Sequence, residues 1–191
     1  RNPVVGRSLS FLFFLSLLCL PYIAQFPSIA ERNLGFDANA TTYKVMYGMW
    51  AFGAMVGSLA QATLLVDVDK RKSVRWYLVG FGLSLLAFAG ARSAWTAFPV
   101  VVVLGFFYFA STTALSTVLQ QHLRRERRAP VMALWMMAFG GTIPFGSTWG
   151  GKVIDRWSPT PMLVIGGVSA FALATAATFV TLARRTPAVV S

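Results

Sequence analysis

Few side chains in this chain could do chemistry, and where they fall decides which chemistry. The six carboxylates are Glu31, Asp37, Asp67, Asp69, Glu126 and Asp155. All of them lie in loops or at the ends of the long apolar stretches that fill the sequence. A proton relay through a membrane is normally built on an ionisable residue inside a span, and this chain brings none. Cys19 and His122 are the only cysteine and histidine. A lone cysteine forms no disulfide within the chain and no cysteine-based metal site. His122 stands beside Arg124 and Arg125 and reads as a loop-end residue. Ser147 follows Gly146, but a serine nucleophile needs a base within reach, and His122 precedes that stretch. No glycine loop ends in Lys-Ser or Lys-Thr, so a nucleotide site is not expected. The chain is therefore expected not to be an enzyme, with no catalytic residue, metal or cofactor. What remains are neutral polar and aromatic groups set in apolar stretches. Tyr22, Gln25, Tyr108 and Thr112 head that group, and such residues can hold and pass a molecule rather than convert it.

The elements that must position them are membrane helices. A spanning helix needs about 20 mainly apolar residues. Six stretches qualify, at about 8–30, 43–66, 76–95, 97–121, 131–153 and 161–183. Lys and Arg accumulate on cytoplasmic loops. One side holds Arg1, Arg7, Lys70, Arg71, Lys72, Arg75, Arg124, Arg125, Arg127, Arg128, Arg184 and Arg185, which is twelve. The other holds Arg32, Lys44, Arg92, Lys152 and Arg156, which is five. Both ends of the chain are thus expected in the cytoplasm. The net charge of +11 invites a nucleic-acid partner. Topology and anionic lipid headgroups account for these residues instead, and no nucleic acid is expected. The segment Arg7–Ala30 is too long in its apolar part for a signal peptide, and five further spans follow. Asn39-Ala40-Thr41 fits a glycosylation sequon in an outward loop. The chain opens on Arg1 rather than Met and is read as part of a longer protein.

The spans are not alike. The third and sixth are almost purely apolar and read as lipid-facing. The first carries Tyr22 and Gln25 between Pro21 and Pro27, the second carries Gln61, and the fourth carries Tyr108, Ser111, Thr112, Thr113, Ser116, Thr117 and Gln120. Polar groups in hydrocarbon need partners or water, so these helices are expected to face a protein interior or an aqueous cavity. The second and fifth are glycine-rich. Gly53 and Gly57 stand at helical spacing, and Gly140, Gly141, Gly146, Gly150 and Gly151 surround Pro144, which should kink its helix. Small residues let helix backbones approach closely, either as static packing or as a face along which two bundles rock.

Three segments carry a family resemblance. Asp67-Val68-Asp69-Lys70-Arg71-Lys72 is similar to the cytoplasmic signature between helices 8 and 9 of major facilitator superfamily transporters, an aspartate followed four residues on by two basic residues. Thr63, Val68 and Lys70 depart from that signature. Glu126-Arg127-Arg128-Ala129-Pro130-Val131-Met132-Ala133-Leu134 is similar to the entry into helix 11 of the exporter subgroup that includes the enterobactin exporter and the transmembrane secretion effectors. Ala129 and Pro130 replace its Gly and Arg. Ala138-Phe139-Gly140-Gly141 through Pro144, Gly146 and Gly151 looks like the glycine- and proline-rich helix 11 itself. The chain resembles the C-terminal six-helix half, helices 7–12, of such a transporter over essentially all of residues 1–191.

The resemblance implies an all-α membrane protein forming one half of the fold. It implies a secondary active efflux antiporter for a small molecule such as a drug, siderophore or metabolite, driven by a proton or other ion gradient. The expected partners are a missing N-terminal six-helix half, the bilayer and the substrate, and the expected place is a bacterial inner membrane. Helices 7 and 10 would line the cavity, 8 and 11 would rock, and 9 and 12 would face lipid. Tyr22, Gln25, Tyr108 and Thr112 would line the cavity. Gln61, Asp67, Arg71, Arg128, Gly140, Gly141, Pro144 and Gly146 would shape the moving interface. The competing reading is a complete six-span protein that dimerises or serves as a non-catalytic membrane partner.

Overall fold

The computed structural model describes residues 3–37, 39–65, 68, 70–121, 123 and 125–182. Among them every regular element is helical. Helix α1 (Pro3–Phe14) passes into a π-helical segment (Leu15–Cys19), then α2 (Pro21–Ala24) and α3 (Phe26–Leu34). There follow α4 (Thr41–Ala62), α5 (Lys70–Gly90), α6 (Ala94–Gln121), α7 (Arg125–Gly140), α8 (Ile143–Arg156) and α9 (Pro159–Leu182). They run as six rods. The first is α1 to α3, bent by 59° where α2 meets α3. The fifth is α7 and α8, which run on across a two-residue turn.

Proline sets both interruptions. Pro21 opens α2 and Pro27 lies in the first turn of α3, where a missing N–H is tolerated. Upstream, the donor missing at Pro21 loosens the ladder at the Leu17 carbonyl, and the chain takes wider π turns at Leu15–Cys19. Pro144 likewise lies in the first turn of α8, just after the break. Gly35, at φ 74°, closes α3 in the left-handed conformation that a side chain would resist.

Ser73–Gly90, Ala94–Gln121, Arg128–Arg156 and Pro159–Ala177 are long and apolar enough to cross a membrane, and the bent first rod makes up to five. The sequence led us to expect six. The difference is α4. Its 22 residues reach about 33 Å at about 1.5 Å per residue, against a hydrocarbon core of about 30 Å. Lys44, Gln61, two tyrosines and three glycines lower its apolarity.

The rods pack by close approach. On α4, a Cβ on Gly53 would collide with the Val102 carbonyl of α6, and one on Gly57 with the Phe106 carbonyl. On α6, a Cβ on Gly105 would collide with the Trp50 carbonyl. The matched order of these contacts makes α4 and α6 parallel. Gly82 of α5 and Gly167 of α9 meet in the same way.

One expectation is corrected here. The purely apolar third span was read as facing lipid, yet 61% of the Ser73–Gly90 window is buried within the bundle, against 17% for Arg128–Arg156. Lipid tails are as apolar as a protein core, so apolarity alone does not choose between them. The small residues Gly80, Gly82 and Ala89 let α5 settle between α6 and α9.

Candidate functional site

Four rods converge on a cluster of rings. Tyr22 and Phe26 come from the first rod, Tyr47 and Trp50 from α4, Phe81 and Phe88 from α5, and Tyr108 and Phe109 from α6. Trp50 is the hub. Its indole Nε1 donates to the Tyr22 hydroxyl at 3.3 Å. Its ring stacks on Tyr108 with centroids 5.9 Å apart and meets Phe26, Tyr47 and Phe109 at 5.4 to 6.4 Å. Phe81 joins Tyr22 to Tyr108 from the other side. Each such pair is worth about 0.5–1.5 kcal/mol beyond the area it buries. Tyr22 is 1% exposed and Tyr108 6%, so the cluster is closed at its centre. It opens at one edge, where Tyr47 is 40% exposed and Phe109 is half-buried.

Of the four residues expected to line a cavity, the fold brings Tyr22 and Tyr108 into this cluster. Thr112 lies one turn beyond Tyr108 and donates to its carbonyl at 3.1 Å. Gln25 is elsewhere. Its Nε2 donates to the Ser147 carbonyl of α8 at 3.1 Å, and its Oε1 accepts from Ser28. The hydroxyls of α6 are largely self-satisfied: Ser111, Thr112 and Thr117 donate to carbonyls one turn back. Such back-bonding lets Ser and Thr sit in an apolar helix with no neighbour to answer them. Counting hydroxyls therefore overstates how polar this face is.

A second group of contacts joins the first and fifth rods. Pro21 cannot donate to the Leu17 carbonyl, and Trp149 Nε1 donates to it instead at 3.0 Å. Ser16 donates to the Phe139 carbonyl at 2.8 Å, beside the break between α7 and α8. Thr142, at the break itself, lies 2.6 Å from Ser16 Oγ. Further along, Arg32 donates to the Ile154 carbonyl at 2.7 Å and pairs with Asp155 at 3.3 Å. Asn33 reaches Thr160 at the start of α9.

The residues expected at a moving interface are scattered. Gln61 is buried on α4. Arg128 and Pro144 are exposed, as is Gly140, where an added Cβ would meet open space. Gly141 donates its N–H to the Met137 carbonyl at 2.9 Å. Gly146 is buried against Leu17 and Pro21, inside the contact between the first and fifth rods. Asp67 lies outside the described residues, and of Arg71 only the backbone, in α5, is described. Trp50, Ser16, Thr142 and Trp149 escaped the sequence reading. Trp50 carried one signal, standing three residues before Gly53 on the same helix face. Ser16 carried none in its leucine-rich run.

Among the described residues no group of His, Cys, Asp and Glu is placed to hold a metal ion, and the ring cluster holds no charged side chain. The arrangement can pack against flat, apolar or weakly polar matter and offer it a few hydroxyls. A family model described as transmembrane secretion effector matches residues 3–189. No curated protein and no solved structure matches the chain.

Proposed function

We propose a function from one premise: the chain belongs to the transmembrane secretion effector family, a major facilitator type of membrane transporter. In our reading it is the C-terminal six-helix half of a secondary active exporter that works by alternating access. The substrate is a small, flat, amphipathic molecule without strong charge. The observation that carries this is the uncharged ring cluster where four rods converge, closed at Trp50 and open at Tyr47 and Phe109.

Two surfaces support the reading. Phe52, Met55, Val56 and Leu59 form an exposed apolar stripe on α4, and Leu134, Met137 and Phe145 are exposed on the fifth rod. Each stripe suits lipid or the N-terminal half that we infer. All six rods cross the membrane in this reading, α4 being sheltered by α6 and by that half. Both ends of the chain lie in the cytoplasm of a bacterial inner membrane, by the excess of basic residues there. Gln61, Asp67, Arg71, Arg128, Gly140, Gly141 and Pro144 belong to the moving interface. Coupling is to a proton or other ion gradient, with the carboxylate supplied from the other half.

The test is efflux of a neutral amphipathic dye, Nile red, from vesicles holding the full-length protein. Tyr108→Ala and Tyr22→Ala should each lower it at least tenfold with the protein still folded. Efflux at the wild-type rate in both variants would sink the reading.

A further inference from the structure

The contacts between the first and fifth rods fall into two zones, and a pair of hydroxyls lies between them. Towards the chain termini, α1 and α7 meet through Leu12 and Trp135, in an apolar cluster with Leu115 and Leu119 of α6. From the breaks onward, the first rod and α8 are stitched by polar contacts. These are Trp149 on the Leu17 carbonyl, Gln25 on the Ser147 carbonyl, and Arg32 on the Ile154 carbonyl and Asp155. The boundary is where both helices lose their regular ladder, at Leu15–Cys19 in one rod and residues 141–142 in the other. Helices bend where the ladder is interrupted, so two weak points face each other.

Ser16 and Thr142 join them. Thr142 has one hydroxyl proton and three oxygens within reach: Ser16 Oγ at 2.6 Å, the Ala138 carbonyl at 2.8 Å and the Phe139 carbonyl at 3.3 Å. When it donates to Ser16, Ser16 in turn donates to the Phe139 carbonyl, and two bonds tie the rods. When it donates to Ala138, the rods keep one bond in place of two, from Ser16 to the Phe139 carbonyl, and no buried donor is stranded. An unsatisfied buried polar group is costly. A donor with a second acceptor on its own helix can therefore change sides at little cost.

We propose that Ser16 and Thr142 are positioning residues, a hydroxyl latch that couples the bend of the first rod to the bend of the fifth, so that α2–α3 and α8 change angle together. The use of that motion for opening and closing rests on the transport reading; the coupling itself does not.

Cys19 is the reporter. It lies in the π segment, 1% exposed, with Sγ donating to the Gly166 carbonyl at 3.3 Å. The rate at which N-ethylmaleimide modifies it, in the full-length protein in vesicles, reads the first rod, while Thr142 sits in the fifth. Thr142→Val should raise that rate about tenfold, the scale of one interhelical hydrogen bond in a membrane. Ser16→Ala removes both bonds and should raise it at least as much, the double variant no more than Ser16→Ala alone, and Thr142→Ser should keep the wild-type rate. Ser16→Ala carries the test alone should Thr142→Val fail to fold. An unchanged rate, or effects that multiply in the double variant, would overturn the latch. Nile red efflux in the same vesicles separates the two proposals. Absent wild-type efflux with the labelling pattern intact removes transport and leaves the latch. Efflux with a flat labelling pattern removes the latch alone.

Discussion

Along α4 and α6, glycines bring two continuous helices together backbone on backbone. Along the first and fifth rods, two interrupted helices are joined by side chains that reach the carbonyls of the other rod. The first seam has little give, because the atoms facing Gly53, Gly57 and Gly105 are main-chain atoms of a helix rather than the ends of side chains. The second is adjustable, because its contacts are made by Trp149, Gln25, Arg32 and Thr142, whose side chains can move. Both seams bring helices close in an apolar setting. What differs is whether the closeness is fixed in the backbone or negotiated by side chains.

The sharpest way to break the comparison is at its glycines. Gly53→Leu should cost about 3 kcal/mol or more, since the new side chain must displace the α6 backbone rather than a flexible neighbour. Gly140→Leu, with open space around it, should change the melting temperature in detergent hardly at all. Similar melting temperatures for the two variants would mean that the α4–α6 seam is not the rigid one. Next is Trp50→Ala, which should cost about 3 kcal/mol, as truncations of a buried tryptophan do. Trp50→Phe keeps most of the ring and loses the donor to Tyr22, so most of that stability should return.

A smaller effect sharpens the other seam. Trp149→Phe should cost about 1 kcal/mol, the size of a polar contact between membrane helices. In a Pro21→Ala background the cost should shrink, because residue 21 then has an N–H to offer the Leu17 carbonyl. A double-mutant cycle on detergent unfolding measures this, and equal costs in both backgrounds would show that the indole does not stand in for the missing proline donor. The smallest effect belongs to the ion pair. Arg32 and Asp155 are 49% and 74% exposed, so Asp155→Asn should move stability by less than about 0.5 kcal/mol. Arg32→Ala should cost more, because it also removes the donor to the Ile154 carbonyl.

Much of the scaffold was legible in the residues. The stretch read over 97–121 folds as Ala94–Gln121, and that over 161–183 as Pro159–Leu182. Pro144 was expected to disturb its helix, and the ladder is interrupted at residues 141–142, just before it. The candidate site was less legible. Tyr22 and Tyr108 were singled out as polar groups in apolar helices, which gave no hint that Trp50 would join them. Gln25 was singled out on the same ground and turned to α8 instead. Gly53 and Gly57 promised a close approach, but nothing in their spacing said that α6 would be the partner rather than a second bundle.

The sequence by itself determined the rods and their weak points. Apolar length makes a membrane helix, and proline removes a backbone donor wherever it stands. Both are local properties, set by residues adjacent in the chain. The tertiary structure alone decided which rods meet: α4 with α6, α5 between α6 and α9, and Ser16 opposite Thr142. In surroundings where lipid and protein are equally apolar, hydrophobicity does not tell one face of a helix from another. The choice passes to shape and to the carbonyls left without donors, and those are known only once the rods are side by side.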